Sequence, residues 1–182
     1  IVVPIYHPFA VLKEPRHRYL FETDIKNAYE KYVLGKTNQG NLSYEVISEE
    51  EELVSLVEKL GTTKEPVASD IETTGLNFRR DRVMSIAFSC GDQTWVVPLD
   101  HKDSPFLDKH VAWEAVRKIL SNPNNIKIFH NAKFDLKFLI NHRVKVTNVW
   151  DTKIAHHLIN ENAPKSLMDL VKLYFADELE NL

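Results

Sequence analysis

The chain has 182 residues, 43% of them apolar, enough to bury a sizeable core. Charged residues make up 27%, mixed in sign, with a net charge of −3; this argues against a disordered tail and against a bulk nucleic-acid coater, but not against an enzyme that holds DNA by a local patch and bound metals. The one cysteine, Cys90, excludes an internal disulfide framework and any multi-cysteine zinc or iron–sulfur site. In chain order, residues 1–5 are apolar and mostly β-branched and read as a strand, which His7-Pro8 breaks. Residues 16–34 read as a helix, with Leu20, Ile25, Ala28, Tyr29 and Tyr32 at helical spacing and Gly35 as its stop. Residues 36–42 are polar, contain a glycine, and are expected to link two organisations, 1–35 and 43–182.

Residues 44–47 read as a short strand. Ser48 with Glu51 predicts a capping box for a helix whose face carries Leu53, Leu56, Val57 and Leu60. Strands follow at 66–71, 82–90 and 94–99, the last two joined through a Gly91-Asp92 hairpin turn. Then come a helix at 113–120, a strand at 126–130, a helix from Asn131 to about Ile140, a strand at 146–150 and a helix at 153–159. Ser166 with Asp169 caps a last helix through Tyr174. This order predicts an α/β domain, a mixed sheet flanked by helices.

Two stretches carry chemistry. In a strand, residues two apart share a face, so Asp70 and Glu72 project side by side with Ile71 turned away. Paired carboxylates need a proton or a cation, and a hard divalent ion, Mg²⁺ or Mn²⁺, suits them. Two solvated acids at a strand edge are the plainer alternative. The second stretch, residues 128–135, runs from strand into helix, where Asn131 and Asp135, four apart, would share a face. Helix capping and the helix dipole would explain either residue alone.

Asp70-Ile71-Glu72-Thr73-Thr74-Gly75-Leu76 and His130-Asn131-Ala132-Lys133-Phe134-Asp135 resemble the first and second motifs of the DEDD exonucleases, and look closest to the proofreading domain of family A DNA polymerases. The resemblance covers residues 44–182. It implies a ribonuclease-H-like sheet and two divalent metal ions, with Asp70, Glu72 and Asp135 as ligands and Asp70 bridging. One ion would activate the attacking water and the other would stabilise the leaving 3′ oxygen, releasing nucleoside 5′-monophosphates from a single-stranded DNA 3′ end. Thr73, Leu76 and Asn131 match substrate-contacting positions; a core leucine is the rival reading of Leu76. Asp151 reads as a cap, and matches a family position that is not a metal ligand. Arg79, Arg80 and Arg82 cluster after the first motif and could grip phosphates of the single strand, but each reads rather as part of a solvated turn with Asp81 among its partners. His156-His157 is a poor pair for one metal, because adjacent helical residues diverge.

The family's fourth acid falls on a later helix. Asp151, Asp169 and Asp177 do not fit it, so it is expected past Leu182, and this chain is expected to be a weak nuclease by itself. Residues 1–34, through Ile5-Tyr6-His7-Pro8-Phe9-Ala10, resemble the last strand, loop and helix of a family 4 type uracil-DNA glycosylase, with His7 at the base-contacting position. The opening at Ile1, without Met, fits a piece of a longer polypeptide, and a polymerase domain on that longer chain is the expected partner. Low cysteine use and the absence of a membrane-spanning run fit a bacterial or phage-infected cytoplasm with no membrane partner. The rival functions are an RNA-trimming exonuclease and a non-catalytic DNA-binding or spacer domain.

Overall fold

The computed structural model describes residues 5–35, 43–106 and 108–175. The expected first strand, the linker at 36–42 and Asp177 therefore lie wholly or mostly outside the described residues. Among the described residues six strands form one sheet: β1 (Tyr44–Val46), β2 (Val67–Thr73), β3 (Val83–Cys90), β4 (Gln93–Pro98), β5 (Lys127–Phe129) and β6 (Val149–Asp151). Their order is β1-β4-β3-β2-β5-β6. The β2–β3 and β3–β4 pairs are antiparallel; β1–β4, β2–β5 and β5–β6 are parallel. The mixed sheet flanked by helices is the ribonuclease-H-like architecture.

β2 sits in the middle, and its side chains explain why. Val67, Ser69 and Ile71 are buried on one face, while Asp70 and Glu72 stay accessible on the other. Helices α3 (Glu50–Thr62) and α4 (Lys109–Ser121) pack together and supply Leu53, Leu56, Leu60, Ala112, Trp113, Val116, Ile119 and Leu120 to the core. The same core holds Val67, Ile71, Ile86, Phe88, Trp95 and Val97 from the sheet and Phe138 and Leu139 from α5 (Ala132–Asn141).

The capping box of α3 is one residue later than expected. Glu49 is the cap and Glu52 its reciprocal partner, with Ser48 N donating to Glu52 Oε2 at 2.7 Å as well. Gly91 turns the β3–β4 hairpin with φ +58°, a conformation glycine adopts without strain.

A second compact unit groups residues 1–41 with 153–182, and residues 42–152 form the other. Within it lie α1 (Pro8–Lys13), a 3₁₀ turn at Pro15–His17, α2 (Arg18–Tyr32), most of α6 (Thr152–Ile159) and α7 (Leu167–Phe175). Pro8, read as a breaker, stands at the first turn of α1, where a missing N–H costs nothing. Asp24 of α2 pairs with Lys172 of α7 at 2.6 Å, and Asn27 Nδ2 donates to Lys172 O at 2.9 Å. The α7 cap is as expected, with Asp169 N donating to Ser166 Oγ at 3.1 Å. Among the described residues no helix is long and apolar enough to cross a membrane.

Candidate active site

Register and bulge set the acids. Asp70 stands opposite Ala87 and Glu72 opposite Ser85, and the β2–β3 ladder shifts between Glu72 and Thr73. Beyond the bulge the chain leaves the sheet in a tied loop. Thr74 N donates to Arg82 O at 2.9 Å, Arg82 N to Thr74 Oγ1 at 3.0 Å, and Asn77 N to Asp81 Oδ2 at 2.8 Å. Thr73 Oγ1 donates to Gly75 O at 2.8 Å, so its hydroxyl is spent within the loop. Leu76 is 85% exposed, which removes the reading of it as a core leucine.

The second stretch departs from expectation in an informative way. Asn131 is not the first turn of the helix; it sits before it in a left-handed conformation, φ 68° and ψ 45°, and its side chain makes no cap bond. Its kinship with Asp135 therefore does not come from helical spacing. Asp151 does the capping instead. Its Oδ1 accepts from Asn131 N at 3.1 Å and its Oδ2 from Ala132 N at 2.8 Å. The sequence shows Asp151 before its own helix, α6; the fold also brings it to the start of α5, across the parallel β5–β6 pair. Thr152 Oγ1 donates to Phe129 O at 3.2 Å and lies 2.9 Å from His130 Nδ1, tying the same two strand ends. The signal available was Asp151-Thr152 directly after a strand, but a strand end does not say which neighbour it serves.

Asp135 is 2% exposed, and its Oδ1 is buried with no hydrogen-bond partner among the described residues. Burial, then the nearby Asp70 carboxylate, push its pKa up to about 7. The two carboxyls, one on α5 and one on β2, therefore lie near each other. Asp70 is raised too, first by burial and then by Glu72, while the Ile71 N–H and His130 pull the other way. Water reaches the Asp70 side chain, yet protein crowds it enough to disfavour its charge. Asp70, Glu72, Asp135 and His130 thus form one electrostatic neighbourhood. Among the described residues no three His, Cys, Asp or Glu side chains converge closely enough to enclose a metal ion. An orphaned, buried carboxylate oxygen beside a second carboxyl nonetheless fits a cation in place of a proton.

The remaining candidates sort plainly. Arg80 Nε lies 3.6 Å from Asp81 Oδ1, as the solvated-turn reading expects. His156 is buried against Tyr174, its Nδ1 3.0 Å from the phenol oxygen, and burial lowers its pKa. Asp169 is held by Ser166. His7 is an exposed helix cap whose Nδ1 accepts from Phe9 N at 3.1 Å.

Comparison with known proteins agrees with the geometry. Two curated relatives are DNA polymerases I: that of Pseudomonas aeruginosa is 24% identical over 144 residues, 75% of this chain, and that of Synechocystis sp. 29% identical over 132 residues, 70% of it. The chain spans only 16% and 13% of their respective lengths. Escherichia coli RNase D shares the fold with a TM-score of 0.62 at 20% identity, covering 76% of this chain and 35% of that one. Brucella melitensis NrnC bound to pGG is similar with a TM-score of 0.54 at 27% identity, covering 65% of this chain and 56% of that one. The profile of the 3′-5′ exonuclease family of the DNA polymerase A type matches residues 44–181, and the chain belongs to that family.

Proposed function

We propose that this chain is a metal-dependent 3′→5′ exonuclease module that removes nucleoside 5′-monophosphates from single-stranded DNA ends, proofreading for a polymerase domain on the same longer protein. The observation that carries it is Asp135, buried with an unbonded carboxylate oxygen beside Asp70. A scaffold or spacer has no use for such a pair, which destabilises a fold unless a proton or a cation joins it. Asp70, Glu72 and Asp135 would hold Mg²⁺ or Mn²⁺, which supplies water activation and charge stabilisation at the leaving oxygen. Asn131, with its side chain released from capping, and the exposed Leu76 are proposed to meet the terminal nucleotide. Asp151 and Asp169 are committed to capping, so the described residues offer three acids. The 182-residue chain is therefore proposed to bind one ion better than two and to hydrolyse slowly.

The test is digestion of end-labelled DNA and RNA oligonucleotides with Mn²⁺ by the parent chain and by Asp70→Ala. Release of mononucleotides by the parent, abolished in the variant with unchanged folding, is expected; equal rates would sink the assignment. A second reading, RNA or very short oligonucleotides as substrate, is favoured by the likeness to NrnC, whose structure holds pGG. The RNA arm and a dinucleotide arm distinguish it. The glycosylase-like start rests on the sequence resemblance of residues 1–34 alone, since the family match begins at residue 44. His7, spent as a helix cap, is there proposed to keep a loop geometry rather than to act on a base.

A further inference from the structure

The loop that leaves β2 and the helix that carries Asp135 meet at one ring. Phe78, partly buried against the core, has Lys137 Nζ at 5.5 Å from its centroid and Arg79 Cζ also at 5.5 Å. Asn141 Nδ2 donates to Phe78 O and fixes the loop to α5, and Arg79 N donates to Asn77 Oδ1 at 3.1 Å. Arg80 has Asp81 beside it, but Arg79 and Lys137 have no carboxylate partner among the described residues, and both are exposed.

One cation over a ring is worth about 0.5–1 kcal/mol at an exposed site, which accounts for either contact singly. It does not account for two like charges on one ring with neither neutralised. Two exposed cations beside one ring, neither with a carboxylate partner among the described residues, make a local positive patch that the phosphates of a polyanion fit. Both sit on the segments that carry the acids: Arg79 lies seven residues past Glu72, and Lys137 is on the exposed side of the helix that buries Asp135. Between Glu72 and Arg79 the same loop holds out Leu76. We propose that Arg79 and Lys137, held on Phe78, grip phosphodiester groups of a single strand whose 3′ end lies at Asp70, Glu72 and Asp135. This rests on the exonuclease reading for where the strand ends. It adds how a chain of net charge −3 holds a polyanion away from its own carboxylates.

The test is fluorescence anisotropy of labelled dT₁₀ and rU₁₀ in EDTA, from 25 to 300 mM salt by design (roughly the range over which counterion release is read). The full 182-residue chain is compared with R79A/K137A, with the charge-keeping R79K/K137R, and with K118A as a control on exposed α4 surface. Two lost phosphate contacts flatten the slope of log Kd against log salt by about 1.4 and weaken binding roughly tenfold near 0.1 M. R79K/K137R and K118A are expected to keep the parent slope, and thermal midpoints to stay within a degree or two (about what a surface change costs). Binding too weak to measure in the parent, or an unchanged slope in R79A/K137A, overturns the proposal. Loss of the slope in K118A as well would overturn it too, as a general charge effect. Hydrolysis is scored separately against Asp70→Ala: a parent no faster than that variant, whose binding depends on Arg79 and Lys137, sinks the exonuclease reading and keeps the phosphate grip, and a parent faster than that variant with indifferent binding does the reverse.

Discussion

Asp135 ionises in the folded chain only near pH 7, against an ordinary 3.8, because burial and Asp70 both oppose its charge. The native state therefore keeps a proton between about pH 4 and 7 that the unfolded chain has released. With the native state binding more protons, stability falls as pH rises through that window and levels off above the folded pKa. The loss is roughly 2–4 kcal/mol, set by the energy of shifting one ionisation. Asp135→Asn removes the ionisation, so its urea midpoint should be nearly level from pH 5 to 8 and exceed the parent's at pH 8. A variant equally destabilised at both ends would show that the carboxyl carries no such burden. A divalent cation competes with that proton, so Mn²⁺ should raise the parent's thermal midpoint at pH 8, do little at pH 5, and do little to Asp135→Asn at either.

At the scale of elements, two short connections hold the site. The start of α5 hangs on Asp151, whose two oxygens accept from Asn131 N and Ala132 N. Asp151→Ala should cost about 1.5–3 kcal/mol, the range for a lost hydrogen bond to a charged group, and should lower the proposed exonuclease turnover by unseating Asn131. Urea denaturation with a parallel activity assay checks both, and a fully active variant would mean that α5 holds its place unaided. In the other connection, a Cβ on Gly75 would lie 2.5 Å from Asp81 Oδ2. Gly75→Ala should then break the Asp81–Asn77 hydrogen bond and cost about 1 kcal/mol. Its thermal midpoint reports this, and an unchanged value would show that Asp81 moves freely. These connections also mark where the sequence stopped being readable. Strand alternation was enough to set Asp70 and Glu72 together and Ile71 apart, because that depends on neighbours two residues away. Nothing local revealed that Asp151 serves a helix nineteen or twenty residues earlier, or that Asn131 is left-handed. The cap of α3 slipped from Ser48 to Glu49 for a related reason: Glu52 reaches both backbone N–H groups, and either reading fits the string.

For the whole molecule, the sequence reading divides the chain at 36–42, whereas the compact units put residues 1–41 together with 153–182. The tie is specific. Asp24, 7% exposed, faces Lys172 at 2.6 Å, and Asn27 reaches the Lys172 carbonyl. Helices α2 and α7, far apart in the chain, are thus fastened in one unit, which composition shifts along the chain do not reveal. A protease that cuts within the polar 36–42 stretch should then nick the chain without releasing its N-terminal piece. The two fragments should co-elute in size exclusion under native conditions and separate only in denaturant. Lys172→Ala leaves Asp24 buried without its cation and should weaken the tie by on the order of 2 kcal/mol, between the values for exposed and buried pairs. In that variant the nicked N-terminal fragment should leak away on dilution. Prompt separation of the parent's fragments would show that residues 1–35 are an independent appendage, and first cuts inside residues 67–140 would show that the nuclease core is not the more resistant part.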